Sequence, residues 1–382
     1  MRSREPVGLV LAGGGARGAY EAGVLSVLLP ALPASERPDI IVGASVGAIN
    51  GAYLAATLPD GGDPTLVAGR ALWEHLRWAD VSASPSLKDL ERLAKGAVNF
   101  TGLLSLDIPS LLDTRPLART LRRAIPFPAI GEHVANGQLT TAAVVTLSAR
   151  TGRSIVFHTG GTPESDDDKR GIDYVATALT EAHVRASAAI PALFPAVRLD
   201  DGWHFDGGVR LNAPIKPALA FGAKRVIVIG LHSIGRGRAL ASNERPDLAA
   251  GAALVLDALL ADPLVEDLQT LTTINRLAPE RAIPYIFVAP PERDTIGQIA
   301  REVFRRHYSG LLHAARSPQL AFLGRLIDAD ADALHGELLS YLFFAPEFAR
   351  ALIERGRQDA RAWLAEPHDD GLWDLGPLGR DR

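Results

Sequence analysis

Two short apolar segments near the start of the sequence, each ending in glycine, place the strongest constraint on the fold. The first is VGLVLAGGG, residues 7–15, and the second is DIIVGASVG, residues 39–47. Short apolar runs bounded by glycines are typical of strands that are buried on both faces. A stretch with helical spacing of apolar residues follows each run. The order strand–helix–strand–helix therefore predicts a parallel sheet flanked by helices.

Later segments extend this α/β pattern. We expect a hairpin over 139–159, a helix over 173–187, and two further buried strands at 224–231 and 283–290. A mostly parallel central sheet flanked by helices is thus the predicted architecture.

The chain divides into two predicted regions. An α/β domain is expected over residues 1–293, and a group of helical patterns at about 60–135 forms an insertion in it. Residues 294–382 are expected to form a helical region packed on that domain. The helical pattern stops at about residue 365, so we expect the last residues to be loosely ordered.

Composition and charge exclude several classes of protein. A net charge of −4 lacks the basic excess of a nucleic-acid-binding protein, so no nucleic acid partner is expected. The absence of cysteine excludes disulfides, thiolate metal sites and cysteine nucleophiles. The first apolar run is too short for a signal peptide, and no window approaches the ~18 apolar residues of a membrane span. We expect a cytoplasmic protein that at most attaches to a membrane surface; its oligomeric state stays open.

Ser45 lies in a motif that is typical of a catalytic nucleophile. Gly43-Ala44-Ser45-Val46-Gly47 matches G-x-S-x-G between a predicted strand and a predicted helix, which is the context of a nucleophile elbow. A sharp turn there projects the hydroxyl above the sheet edge, near a helix N-terminus whose dipole favours an anion. The bare pattern is common by chance, so an ordinary strand–helix turn that contains serine is the alternative.

The GGGARG cluster at residues 13–18 permits two functions. It fits G-x-G-x-x-G, the fingerprint of dinucleotide binding. A nicotinamide enzyme needs an acidic residue at the end of the second strand, but here that strand ends in VGAS and Asp39 precedes it. This disfavours a dinucleotide-binding oxidoreductase. Three consecutive glycines alternatively let backbone N–H groups converge on the oxygen of a tetrahedral intermediate, as an oxyanion loop requires.

The residues themselves leave the base that would activate Ser45 open. None of the ten histidines lies in a distinctive motif. His204 and Asp206 both occur in DDGWHFDGGVRLNAP, and on an extended strand they would share one face. An Asp-Gly-Gly turn could hold the Asp206 carboxylate rigidly against a hydroxyl, although aspartate is common in turns. Ser187, in RASAA, is a second serine that we interpret as a packing or capping residue.

Four motifs, taken in order, resemble the patatin-like phospholipase family. They are GGGARG, GASVG, RASAAIPALFP and DGGVRLNAP. The resemblance extends from about Val7 through the apolar run at 226–231 and on to about residue 290. It implies a three-layer α/β/α fold in which residues 1–293 form a catalytic domain.

The resemblance also implies a function and a set of site residues. The family's activity is that of a serine esterase of the phospholipase A or lysophospholipase type, which releases fatty acids from lipid esters through an acyl-enzyme. Ser45 would be the nucleophile and Asp206 the base of a dyad without histidine. The oxyanion hole would comprise Gly13, Gly14, Gly15, Ala16 and Arg17, with Arg17 anchoring the loop. The elbow and turn glycines would be Gly43, Gly47, Gly207 and Gly208.

The remaining expectations concern the binding partners, the cofactors and the segment at 100–116. The partner would be a lipid ester substrate, with peripheral contact to a membrane surface. No metal or cofactor is expected, since SDDDK at 165–169 lacks the alternating ligands of a calcium loop. A catalytically weak or silent lipid-binding protein is the alternative function. The leucine-rich segment at 100–116 reads either as an ordinary core-facing element or as an apolar lid.

Overall fold

The computed structural model defines the fold for most of the chain. It describes residues 5–59, 61–83, 110, 112–233, 247, 251, 253–255, 262–309, 317, 319–321, 324 and 333–377. The strands are β1 (Val7–Leu11), β2 (Ile40–Ala44), β3 (Thr141–Ser148), β4 (Ser154–Gly160), β5 (Ile172–Ala176), β6 (Val197–Leu199), β7 (Gly202–Asp206), β8 (Arg225–Ile229) and β9 (Tyr285–Val288). The helices are α1 (Gly18–Ala31), α2 (Val46–Thr57), α3 (Val67–His75), α4 (Trp78–Val81), α5 (Arg115–Ala124), α6 (Phe127–Ala135), α7 (Glu181–Ser187), α8 (Ile215–Ala220), α9 (Asp262–Leu277), α10 (Thr295–His307), α11 (Ala333–Leu342) and α12 (Pro346–Ala365).

A mostly parallel sheet forms the centre of the molecule. Its strand order is β5-β4-β3-β2-β1-β8-β9. Strands β1, β2, β3, β8 and β9 run parallel, while β4 pairs antiparallel with β3 and carries β5 beside it. Every residue of β1 and β2 is buried, as expected for apolar runs covered on both faces. Helices flank the sheet, which confirms the predicted α/β/α fold class.

Strand β3 receives two partners along the same edge. Its first part pairs with β2, so that Ala44 lies opposite Val145. Its last part pairs with β7, so that Asp206 lies opposite Thr146, the next residue. The end of β7 therefore meets the end of β2, and this register brings two segments about 160 residues apart in sequence to one point.

The helix predicted over 173–187 is wrong in its first half. Residues Ile172–Ala176 form β5, which pairs parallel with β4, and only Glu181–Ser187 is helical. Tyr174 and Val175 suit a strand at the edge of a sheet, where pairing with β4 outweighs a weak local helical pattern.

Helix α12 packs along α1 at very close range. A Cβ atom on Gly23 would overlap the Ile353 carbonyl, and one on Gly356 would overlap the Tyr20 carbonyl. The buried Tyr20 hydroxyl also donates a 2.8 Å hydrogen bond to Asp359. These contacts place a helix from beyond residue 294 directly against the first helix of the α/β unit.

The segment after α12 returns to the outer edge of the sheet. Tyr285 of β9 and Asp374 exchange backbone hydrogen bonds of 2.9 and 2.8 Å. The Trp373 side chain is buried, and its indole N–H donates to Glu36.

None of the described helices is long and apolar enough to cross a membrane.

Candidate active site

Ser45 occupies a strained turn between a strand and a helix. Strand β2 ends at Ala44 and α2 begins at Val46. Ser45 itself has φ 54° and ψ −123°, a conformation that side-chain-bearing residues rarely adopt. Such strain persists only where the surroundings enforce it, and it concentrates at functional sites. The geometry is that of a nucleophile elbow, with the serine at the N-terminus of a twelve-residue helix.

Two glycines make this turn possible. A Cβ atom on Gly43 would overlap the Gly47 carbonyl, and one on Gly47 would overlap the Leu11 carbonyl. Helix α2 therefore starts in direct backbone contact with the ends of β1 and β2. Any larger residue at either position would push the helix away from the sheet and displace Ser45.

The Ser45 hydroxyl contacts the carboxylate of Asp206. The hydroxyl donates a 2.6 Å hydrogen bond to Asp206 Oδ2, and both side chains are almost fully buried. The other carboxylate oxygen, Oδ1, accepts a 2.7 Å hydrogen bond from the Gly208 N–H. The turn after β7 thus fixes the carboxylate of Asp206. The pairing of both β2 and β7 with β3 fixes the relative positions of the two strands that end at Ser45 and Asp206.

Burial makes Asp206 an unusually strong base for a carboxylate. Loss of solvation raises the pKa of Asp206 to about 7, although hydrogen bonds from Ser45 and Gly208 lower it in part. A carboxyl group with this pKa can take up and return a proton near neutral pH, as general acid–base catalysis requires.

The glycine loop after β1 lies beside Ser45. A Cβ atom on Gly13 would lie only 2.9 Å from the Ser45 Cβ. The Gly13 N–H donates to Asn212 Oδ1 at 2.9 Å and to the Asn212 carbonyl at 3.2 Å. Within the described part of the chain, the N–H groups of Gly14 and Gly15 have no hydrogen-bond acceptor. They are therefore the members of the loop that remain available to an anion.

The Arg17 side chain points away from solvent and into the protein. It is 1% exposed and contacts residues after β8 and residues of α11. Ala16 is also buried and lies with Arg17 in a short 3-10 turn, Gly15–Arg17.

His204 does not contact the Ser45–Asp206 pair. Its Nδ1 lies 2.9 Å from Thr146 Oγ1, and its Nε2 lies 2.8 Å from Asp201 Oδ1. Both ring nitrogens are thus engaged elsewhere. The side chain shares β7 with Asp206 but supports the sheet.

Two polar residues that the sequence analysis did not assign to the site hold it in place. Ser187 Oγ accepts a 3.0 Å hydrogen bond from the Ser45 N–H and donates a 2.6 Å hydrogen bond to the Val145 carbonyl. It anchors the elbow, which goes beyond the packing or capping role inferred from sequence. Asn212 anchors the glycine loop in the same way. Neither has a local signal, although both lie within motifs that carry the family resemblance.

An apolar pocket opens at Ser45. Its empty volume is about 1030 Å³, its open mouth included. Helices α1, α2, α3 and α5 contribute most of its wall, together with Phe344 before α12. The apolar side chains include Leu25, Val46, Ile49, Leu54, Leu66, Leu72, Trp73, Leu76, Val81, Leu117, Leu121, Ile125, Ile190, Phe194 and Phe344. Such a surface binds hydrocarbon.

A buried polar chain lies behind one wall of this pocket. The Trp73 indole N–H donates to Asn50 Oδ1 at 3.0 Å, and Asn50 Nδ2 donates to Glu21 Oε2 at 2.7 Å. Glu21 is fully buried, and loss of solvation raises its pKa to about 8, against smaller opposing effects of hydrogen bonds from Asn50 and the Ala12 backbone. The chain links helices α1, α2 and α3.

The insertion supplies a large part of the pocket wall. Leu66, Leu72, Leu117 and Leu121 line the cavity and belong to the predicted insertion at about 60–135. The candidate lid at 100–116 lies largely outside the described residues. Over the part of the chain that the structure describes, no cluster of three or more His, Asp or Glu side chains is arranged to hold a metal ion.

Comparison with known proteins identifies one family. The sequence model of the family described as patatin-like phospholipase matches residues 9–219, more than half of the chain. Among solved structures, VipD from Legionella pneumophila is similar over 94% of this chain, with 13% sequence identity and a TM-score of 0.32. The chain spans about 66% of the length of that protein. No curated protein matches the sequence.

Proposed function

The chain belongs to the patatin-like phospholipase family, and we propose that it is a serine lipid acyl hydrolase acting on phospholipids or lysophospholipids. One observation carries the proposal. The hydroxyl of Ser45, held in a strained elbow at an apolar pocket, donates a 2.6 Å hydrogen bond to Asp206. We assign the reaction to the α/β domain at 1–293, with the helices after residue 294 packed on it.

The first half of the proposed reaction forms an acyl-enzyme. Ser45 Oγ attacks the ester carbonyl carbon while its proton passes to Asp206 Oδ2. The carbonyl oxygen becomes an oxyanion, which the N–H groups of Gly14 and Gly15 and the N-terminus of α2 stabilise. When the intermediate collapses, the bond to the alcohol breaks, and the leaving oxygen takes the proton from Asp206.

The second half releases the fatty acid. Asp206, again a carboxylate, accepts a proton from water as the water oxygen attacks the acyl carbon. A second oxyanion forms at the same donors, and its collapse breaks the bond to Ser45 Oγ. The proton returns to Ser45, and the free acid leaves. The apolar pocket supports this assignment, because a hydrocarbon chain attached to the reacting carbonyl would extend into it.

Covalent labelling tests the proposal directly. We expect a fluorophosphonate probe to label the wild-type protein at Ser45 and to leave Ser45→Ala unlabelled, because only an activated serine reacts. Incubation with mixed phospholipid and lysophospholipid vesicles should release free fatty acids that mass spectrometry detects. A folded wild type that is neither labelled nor active would instead favour the catalytically silent lipid-binding protein.

The pH dependence of the rate follows from the raised pKa of Asp206. Because the base must be deprotonated, kcat/KM for a nitrophenyl ester should fall about tenfold per pH unit below about 7 and reach a plateau above it. Circular dichroism over the same range would verify that the protein stays folded. A rate that is flat between pH 5 and 8 would contradict the role of Asp206.

A further inference from the structure

We propose that helix α11 is a positioning element of the active site, which fixes the glycine loop beside Ser45 through Arg17. The inference rests on the proposed function and extends it to a segment far outside the family match. The family model ends at residue 219, whereas α11 spans Ala333–Leu342. The donors that would hold the oxyanion therefore depend on residues that lie more than a hundred positions beyond the end of the family match.

Among the described residues, α11 supplies most of the partners of the Arg17 guanidinium. Its Nε donates a 2.8 Å hydrogen bond to Ser340 Oγ. Its Nη2 donates to the Glu337 carboxylate and, at 3.1 Å, to the Glu337 carbonyl. The guanidinium carbon also lies 3.9 Å from the centre of the Tyr341 ring. Three residues of one helix thus bind a single buried cation through a carboxylate, a hydroxyl and an aromatic face.

The segment after β8 binds Arg17 from another direction. Arg17 Nη1 lies 3.0 Å from His232 Nε2. The His232 Nε2 atom also lies 2.7 Å from the Tyr341 hydroxyl. Burial and the nearby cations lower the pKa of His232 well below its usual value, so the imidazole is neutral and accepts the hydrogen bond from Arg17. Arg17 therefore joins the segment after β8 to α11, and among the described residues Glu337 provides a carboxylate that pairs with it.

Helix α11 also contacts the glycine loop directly. Gly15 has φ 60°, and a Cβ atom there would overlap the Tyr341 carbonyl. The Arg17 N–H donates to the Gly14 carbonyl at 3.2 Å, which closes the short turn at the N–H groups of Gly14 and Gly15. The loop is thus fixed at Gly15 by backbone contact and at Arg17 by the side chain.

This arrangement makes the charge of Glu337 important for the rate. Neutralising one partner of a buried ion pair leaves the other charge poorly compensated, and the surrounding structure shifts to solvate it. A shift of about 1 Å in a group that contacts the transition state can lower the rate about 10²-fold. Binding of the acyl chain depends mainly on the apolar side chains of the pocket, which Glu337 does not line, so it should change little.

The test is Glu337→Gln in the full-length protein. Glutamine keeps an acceptor for the Gly297 N–H, which Glu337 Oε1 binds at 2.9 Å, while it removes the charge. We expect kcat on a nitrophenyl ester to fall about 10- to 100-fold and KM to change less than about threefold. Ser340→Ala, a milder change, should show the same pattern to a smaller extent. Glu354→Gln on the exposed face of α12, where Glu354 pairs with Arg357 and Arg361, is the matched control and should leave both constants unchanged.

Hydrogen exchange gives a second readout that does not require activity. Amide exchange of a peptide covering residues 9–20 should be faster in Glu337→Gln than in the wild type, and unchanged in Glu354→Gln. Unchanged exchange in that peptide, or a folded Glu337→Gln variant with wild-type kcat, would overturn the inference. An unreactive wild type would overturn the proposed function instead, and the exchange data would still decide whether α11 positions the loop.

Discussion

Asp206→Asn should lower kcat for ester hydrolysis about 10²- to 10⁴-fold, the usual contribution of a general base. The amide is nearly isosteric, and it can still accept the hydrogen bond that Gly208 N–H donates to Oδ1. It cannot take the proton of Ser45. The change therefore removes the proton acceptor while the elbow stays in place. Initial rates on a short-chain nitrophenyl ester, with active-site titration, measure the effect.

The same substitution should lower activity but raise the stability of the folded protein at neutral and alkaline pH. The pKa of Asp206 is raised from 3.8 to about 7, so the wild type loses stability as pH rises between these values, and the loss is complete above 7. At 1.36 kcal/mol per unit, the asparagine variant should gain about 4 kcal/mol relative to the wild type between pH 4 and pH 8. Urea unfolding at the two pH values measures this difference.

His204→Ala is the matched control for the base. The histidine contacts Thr146 and Asp201, so its loss should reduce stability and leave the turnover of the folded fraction intact. If this variant is inactive while Asp206→Asn retains its rate, the assignment of the base is wrong.

Glu21→Gln should stabilise the protein markedly at alkaline pH. In the wild type the pKa of Glu21 is raised from 4.5 to about 8 by burial, so folding disfavours the charged form. The resulting penalty is absent below pH 4.5, grows as pH rises, and is complete above pH 8. It amounts to about 4–5 kcal/mol at 1.36 kcal/mol per unit. Glutamine avoids the penalty and can still accept the hydrogen bond from Asn50.

Unfolding curves at pH 5 and pH 8.5 measure this prediction. The difference in free energy of unfolding between Glu21→Gln and the wild type should be larger at pH 8.5. Glu132→Gln, on the exposed surface of α6, should show no such pH dependence. An equal difference at both pH values would mean that Glu21 is already ionised in the folded protein at pH 5.

Local patterns were sufficient to predict the parallel sheet and a sharp strand–helix turn at Ser45. Strands β1 and β2 are short apolar runs whose burial depends on their own composition, and the turn at Ser45 requires glycines two positions away on either side. The partner of Ser45 could not be predicted in this way. The residues alone did not favour Asp206 over a histidine, and only the family resemblance did. Its position depends on how β7 pairs with β3, and that register is not encoded near either residue.

The supporting polar residues were harder to predict for the same reason. Ser187 lies 142 positions from Ser45, Asn212 lies 199 positions from Gly13, and Glu337 lies 320 positions from Arg17. Each is a single polar residue in a segment whose periodicity indicates only a helix or a loop. The strand at Ile172–Ala176 was missed because its partner, β4, lies across a loop and its own pattern is weak.

The contact between Asp374 and Tyr285 has a consequence for the behaviour of the protein at high concentration. Among the described strands, β9 lies at the end of the sheet, and its outer side would otherwise present unpaired backbone groups to other molecules. The backbone pair with Asp374, held by the buried Trp373, covers part of that side. Detachment of this short segment would expose a template for intermolecular strand pairing, so we expect resistance to aggregation to depend in part on Trp373, which is remote from Ser45 in the sequence.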